Sequence, residues 1–174
     1  LFYFWAILFF VLIIASLALS SDNKLSHWVV PFTGVTAVFI ITVGVSIVFD
    51  DSFFGIFKSL PEVSFDYGNY NSTRYLVAIT VLLSFGIWSS LFYVKSIKQK
   101  KKAFRASFNT ILVAVSIAFL IIVFAPKKDG SEFLFMFAPL SIVITNYIEI
   151  IEEKWFKEVF LSVLILVPFI LLVL

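Results

Sequence analysis

An all-α, polytopic membrane fold is what this sequence predicts, on three observations. Apolar residues make up 61% of the 174, and charged residues only 14%. A soluble domain carries about 45–50% apolar and about 25% charged residues, and a small one has too much surface to hide such an excess. The apolar residues gather in long runs, matching the roughly 20 needed to cross a hydrocarbon core about 30 Å thick. The runs lack two-residue alternation, which excludes a barrel, so helices must satisfy the backbone groups in lipid.

Six runs are expected to span, forming a single helical domain over residues 1–174. The first, 1–19, lacks the charged start and cleavage site of a signal peptide, so it reads as a span. The second, 28–49, carries Thr33, Gly34, Thr36, Thr42, Gly44 and Ser46. Small residues let helices approach closely and hydroxyls bond between them, which predicts a central place in the bundle. The third and fourth are 75–94 and 106–125. The fifth, 133–148, is shorter and contains Pro139, which removes a donor and predicts a kink. Ser141 and Thr145 would then face a neighbouring span or a polar cavity. The sixth is 156–174. The chain opens on LFYFWAILFF without Met and closes inside an apolar run, which predicts a segment of a longer protein.

The links set orientation. KSIKQKKKAFR carries six of the thirteen positive charges: Lys95, Lys98, Lys100, Lys101, Lys102 and Arg105. With Lys24, Lys154 and Lys157, nine lie on one side, against Lys58, Arg74, Lys127 and Lys128 on the other. The positive-inside rule makes the first side cytoplasmic, so link 95–105 is cytoplasmic and link 50–73 external. The expected location is a bacterial inner membrane. The six basic residues can also touch anionic lipid headgroups. Nucleic-acid binding is not expected, because only Phe104 stands near them as a stacking platform.

Three stretches are candidates for chemistry. In DDSFFGIFKSLPEV, Phe53, Phe54, Ile56, Phe57 and Leu60 share a helical face, predicting a short amphipathic helix in the headgroup layer. It is either a lid for a lipid-like substrate or, the simpler reading adopted here, an interfacial connector. Asn71-Ser72-Thr73, next to it, has the glycosylation pattern but adjoins a span too closely for easy modification. In PKKDGSEF, Asp129 and Glu132 have capping-box spacing at the start of the fifth span, with Ser131 a competing cap. In NYIEIIEEKWFKE, Glu149, Glu152 and Glu153 can share one helical face. The following Lys154 and Lys157 favour a solvated helical link with a Glu153–Lys157 pair, and Tyr147 and Trp155 read as interface anchors.

What is missing also counts. There is no cysteine and a single histidine, His27, so thiolate or multi-histidine sites are excluded within this chain. No expected span carries a central charge, which argues against a coupled transporter confined to these residues.

Arg105, Phe108 and Asn109 entering the fourth span, with Ser131, Glu132, Pro139 and Asn146 around the fifth, resemble the C-terminal half of an uncharacterised family of multi-pass inner-membrane proteins of Bacteroidota. The resemblance implies further spans upstream and no known activity, cofactor or catalytic residue. No catalytic, cofactor-binding or metal-ligating residue is therefore assigned. The expected function is an integral membrane subunit or scaffold packing against other membrane proteins in a larger complex. The alternative is part of a membrane enzyme or transporter handling lipid-linked glycans or lipids, with link 50–73 as its lid and Asp50, Asp51, Glu62 or Asp66 as its acid.

Overall fold

The computed structural model describes residues 8–20, 24–50, 63–126 and 128–173. Six α-helices follow in order: α1 Phe9–Leu19, α2 Leu25–Asp50, α3 Thr73–Ile97, α4 Lys102–Phe124, α5 Leu134–Ile150 and α6 Lys154–Val173. Short 3-10 turns at Gly68–Asn71 and Ser131–Phe133 lead into α3 and α5. Five of the helices are long and apolar enough to cross a membrane, and α1 is a shorter apolar helix over its described residues. The architecture is that of a polytopic helical membrane protein. The amphipathic helix expected in link 50–73 falls on residues 51–62, outside the described residues.

The bundle is built on α3, α4 and α5, with α1 packed along α4. Each core helix turns one narrow stripe inward. On α4 the stripe is Ala114, Ile117, Ala118, Ile121 and Ile122, the i, i+3, i+4 spacing of one helical face. On α5 it is Met136, Pro139, Leu140, Val143 and Tyr147. On α3 it is Gly86, Ser89, Tyr93 and Ser96, where small residues admit the neighbouring helix. A Cβ at Gly86 would stand 3.2 Å from the Leu140 Cδ1, so glycine sets how closely α3 and α5 meet.

The second helix is not central. It packs on α1, only 6% of its most apolar stretch is buried, and no described residue lies within 4 Å of a Cβ built at Gly34 or Gly44. Two of its hydroxyls turn onto their own helix: Thr33 Oγ1 donates to the Val30 carbonyl and Thr36 Oγ1 to that of Phe32, each at 2.8 Å, while Ser46 is its one buried position among the described residues. Small residues permit close packing but do not supply a partner, which is why composition alone misplaced this helix.

The sixth helix is held at one point. Phe160, its one buried residue, stacks on Phe85 at 4.6 Å and Tyr147 at 5.2 Å. Tyr147 is buried in the bundle, where its hydroxyl accepts from Trp88 Nε1 at 2.7 Å. Trp155 is fully open, as an interface anchor should be. The acidic link is not one helix. Residues 151–153 are not helical, the backbone leaving α5 in an extended conformation at Ile151, so Glu149, Glu152 and Glu153 do not share a helical face. No group of three potential metal-binding side chains occurs among the described residues.

Pro139 lies inside a continuous α5 and is buried. Ser141 and Thr145 are exposed, and Ser141 Oγ donates to the Ala138 carbonyl at 2.8 Å. Among the described residues they therefore meet neither a cavity nor another span, contrary to the expectation. The hydroxyl answers a local carbonyl near the proline, a role that Ser and Thr fill in membrane helices.

Overpacking a close helix contact costs about 1–3 kcal/mol. Gly86→Leu should therefore separate α3 from α5 and lower the thermal midpoint of the detergent-solubilised protein. Gly44→Leu should leave that midpoint unchanged, since the added side chain enters open space. Both are read by the loss of helical circular dichroism on heating.

Candidate functional site

The described part of the long link, from residue 63 onward, packs on the bundle. It folds over the junction of α4 and α5 and is stitched there by side chains. Asp66 and Ser64 shape its turn: the Gly68 amide donates to Asp66 Oδ1 at 2.9 Å, and the Asp66 amide donates to Ser64 Oγ at 3.3 Å. This presents Tyr67, Asn69 and Tyr70 to the junction. Tyr67 Oη donates to the Val123 carbonyl at 3.2 Å, and Asn69 Nδ2 to that of Lys128 at 3.1 Å. Tyr75, on the first turn of α3, donates its hydroxyl to the Asp129 carbonyl at 3.2 Å. Ser72 caps that helix, its Oγ accepting from the Tyr75 amide at 3.4 Å.

Beneath this cap lie two ionisable side chains. Lys128 is only 2% exposed. Its Nζ donates to the carbonyls of Ile122 at 2.6 Å and Val123 at 2.8 Å, and stands 4.8 Å from the centre of the Tyr67 ring. These carbonyls belong to the last turn of α4, where intrahelical partners run out and the helix dipole is negative. Burial lowers the ammonium's pKa below its ordinary value.

Glu132 is fully buried, and among the described residues neither carboxylate oxygen has a side-chain partner; its polar company is the backbone of its own turn, Asp129, Gly130 and Glu132. Lys128, four residues away, is committed to α4 and does not pair with it. The expected capping box has a different form. Asp129 Oδ1 accepts from the Ser131 amide at 3.0 Å and from Ser131 Oγ at 2.6 Å, two residues on rather than three. Gly130 then takes a left-handed conformation, φ 92°, with a Cβ position 3.3 Å from the Tyr75 ring. A side chain there would be strained and crowded. The Tyr70 hydroxyl, buried in the same cap, has no partner among the described residues. Two buried polar groups without a side-chain partner, one a carboxyl, are costly unless they serve a purpose.

The remaining candidates stand apart from this cap. Asp66 is a turn former at its rim, and Asp50 ends α2. Asp51 and Glu62 lie outside the described residues. The basic link is partly occupied with its own structure. Arg105 Nε donates to the Lys100 carbonyl at 3.0 Å and Nη2 to that of Lys98 at 2.8 Å, closing the turn after α3. Lys95 and Lys100 sit over the rings of Phe92 and Phe108.

A family model matches residues 1–173, and the family is described as one of unknown function (DUF6427). The match spans nearly the whole chain, beyond the C-terminal half on which the resemblance was read. No curated protein and no solved structure matches.

Replacing Lys128 by Met removes two charge-assisted bonds and leaves carbonyls unanswered, a loss of about 1.5–3 kcal/mol. Glu132→Gln should act oppositely, raising the thermal midpoint by removing a buried ionisable group that no described side chain neutralises. A fall on Glu132→Gln would show that the carboxylate holds its neighbours in the native membrane.

Proposed function

The chain belongs to the DUF6427 family, and from that premise we propose that it is an integral membrane subunit that packs against other membrane proteins. The observation that carries this reading is the bareness of α2. A helix of 26 residues packs on α1 and presents Gly34 and Gly44, whose Cβ positions have nothing within 4 Å among the described residues. Small residues facing lipid gain nothing from it, whereas against another helix they permit close backbone approach. A structural subunit needs such a face.

The second reading, lipid or lipid-linked glycan handling, is favoured by a cavity of about 560 Å³ between α3 and α4, floored by α5 and lined almost wholly by apolar groups. The cap over Glu132 would lie on its external side. In both readings the basic link is cytoplasmic, link 50–73 is external and the membrane is a bacterial inner one. The lysines not engaged with rings in the fold, Lys98, Lys101 and Lys102, are the contacts for anionic headgroups, while Arg105 holds the turn.

Gly34→Leu with Gly44→Leu separates the readings. For a subunit, the pair should abolish co-purification of partner membrane proteins in mild detergent while the thermal midpoint of the isolated chain stays unchanged. For a lipid-handling protein, co-purification is unaffected, and a single change among Asp50, Asp51, Glu62 and Asp66 to Asn or Gln should abolish function in an inserted protein.

Orientation is tested with single cysteines and an impermeant thiol reagent on cells with the outer barrier permeabilised. Ser131→Cys should react and Gln99→Cys should not. Both positions are exposed, whereas Ser96 in the same link is buried and would stay unlabelled on either side. The opposite pattern would invert the topology.

A further inference from the structure

We propose that the cavity between α3 and α4 holds one acyl chain of a resident anionic phospholipid whose headgroup sits on Lys98, Lys101 and Lys102. The two helices are joined by the basic turn and are tied together just above it, where the Tyr93 and Phe108 rings stack at 5.1 Å. Beyond that tie they diverge, and Met136 and Leu140 of α5 form the floor of the gap. The α3 wall runs from Leu83 through Ile87 and Leu91 to Val94. Eleven residues at about 1.5 Å each give roughly 16 Å, the depth of one leaflet of a core about 30 Å thick. The volume of about 560 Å³ falls within the usual range of ligand cavities.

Charge identifies the occupant. Lys98 lies four residues beyond Val94, and its backbone is still helical, so it continues the same stripe by one turn at the membrane surface. Lys101 directly precedes α4 and Lys102 begins it, and both are exposed. An open apolar groove whose α3 wall ends at Val94, one turn short of Lys98, with Lys101 and Lys102 next along the chain, matches a lipid with an apolar tail and an anionic head. A helix from a second copy would find the same walls, and its α5–α6 link would bring Glu152 and Glu153 to the same side, so the dimer is the rival outcome that the test below separates. This inference deepens the reading of the basic link as a lipid contact. It adds a stoichiometric site to a general surface attraction.

The test uses the full chain in vesicles of phosphatidylglycerol or of phosphatidylcholine with the same tails, extracted into mild detergent and examined by native mass spectrometry. One phosphatidylglycerol should remain per chain, in clear preference to phosphatidylcholine. Each lysine near the surface is worth about fivefold, so Lys98→Gln, Lys101→Gln and Lys102→Gln together should weaken retention on the order of a hundredfold. Ser116→Phe, from an exposed position on the α4 wall, should expel the lipid while helical content and thermal midpoint are kept. If the triple variant loses its preference but Ser116→Phe retains the lipid, the cavity site is overturned and surface attraction stands. Equal retention of both lipids overturns both. A lipid-free dimer abolished by Ser116→Phe would assign the cavity to a second copy instead.

Discussion

Lipid tails are as apolar as leucine, so a helix inside a membrane is not driven against its neighbours by burying apolar surface. Every other feature of this bundle follows from that constraint. The helices that meet do so where backbones come close or polar atoms find each other. Gly86 lets α3 rest on Leu140 of α5, and Ala114 and Ala118 do the same work on α4. The Trp88–Tyr147 bond and the rings around Phe160 hold α6 at one point along its length. Elsewhere large apolar side chains stay exposed across the described helices, which would be a fault in water and is ordinary in lipid.

The same constraint explains why α2 and α6, though more apolar than α3 and α5, lie outside the core. Each buries only 6% of its most apolar stretch. Hydropathy decides that a segment enters the membrane, and contact chemistry decides where it goes. Helix α6 has a ring to place in the aromatic cluster. The hydroxyls of Thr33 and Thr36 on α2 are already satisfied by its own carbonyls. Its small residues are therefore available to a neighbour, which gives the subunit reading its physical content.

Much of the fold was legible because hydrophobic length is a strong and local signal. Five of the expected spans correspond to helices long enough to cross, and the basic turn lies between α3 and α4 as read. Helix neighbours were not legible. Thr, Ser and Gly on α2 carry the same pattern whether they face a helix or lipid. Tyr147 likewise reads as a boundary residue until the phase of α3 brings Trp88 against it. The cap was legible only in part. Asp129, Gly130 and Glu132 stood out by spacing, but Tyr67 and Asn69 reach Val123 and Lys128 across more than fifty residues of sequence. Lys128 was counted as a surface charge. No local signal distinguishes a lysine that solvates itself from one that folds back onto the last turn of its helix.

That lysine and Glu132 pose the sharpest problem in the structure, and the helix ends resolve part of it. Two opposite charges four residues apart under one cap would be expected to pair. They do not, because each stands at a helix end of complementary sign. Lys128 answers the carbonyls of Ile122 and Val123 at the negative end of α4, and Glu132 lies in the turn that opens α5, at its positive end. Pairing the side chains would strip α4 of its cap and leave carbonyls unanswered at the edge of the membrane, where little water reaches them. The dipole compensates Lys128 in full view, through two short bonds. It compensates Glu132 more weakly, through the backbone of Asp129, Gly130 and Glu132, with no side-chain donor among the described residues. The asymmetry marks Glu132, with the Tyr70 hydroxyl in the same cap, as a place where this fold retains a cost that packing alone does not require; Ser89 Oγ and Asn146 Oδ1 within the bundle are, among the described residues, likewise buried without a partner.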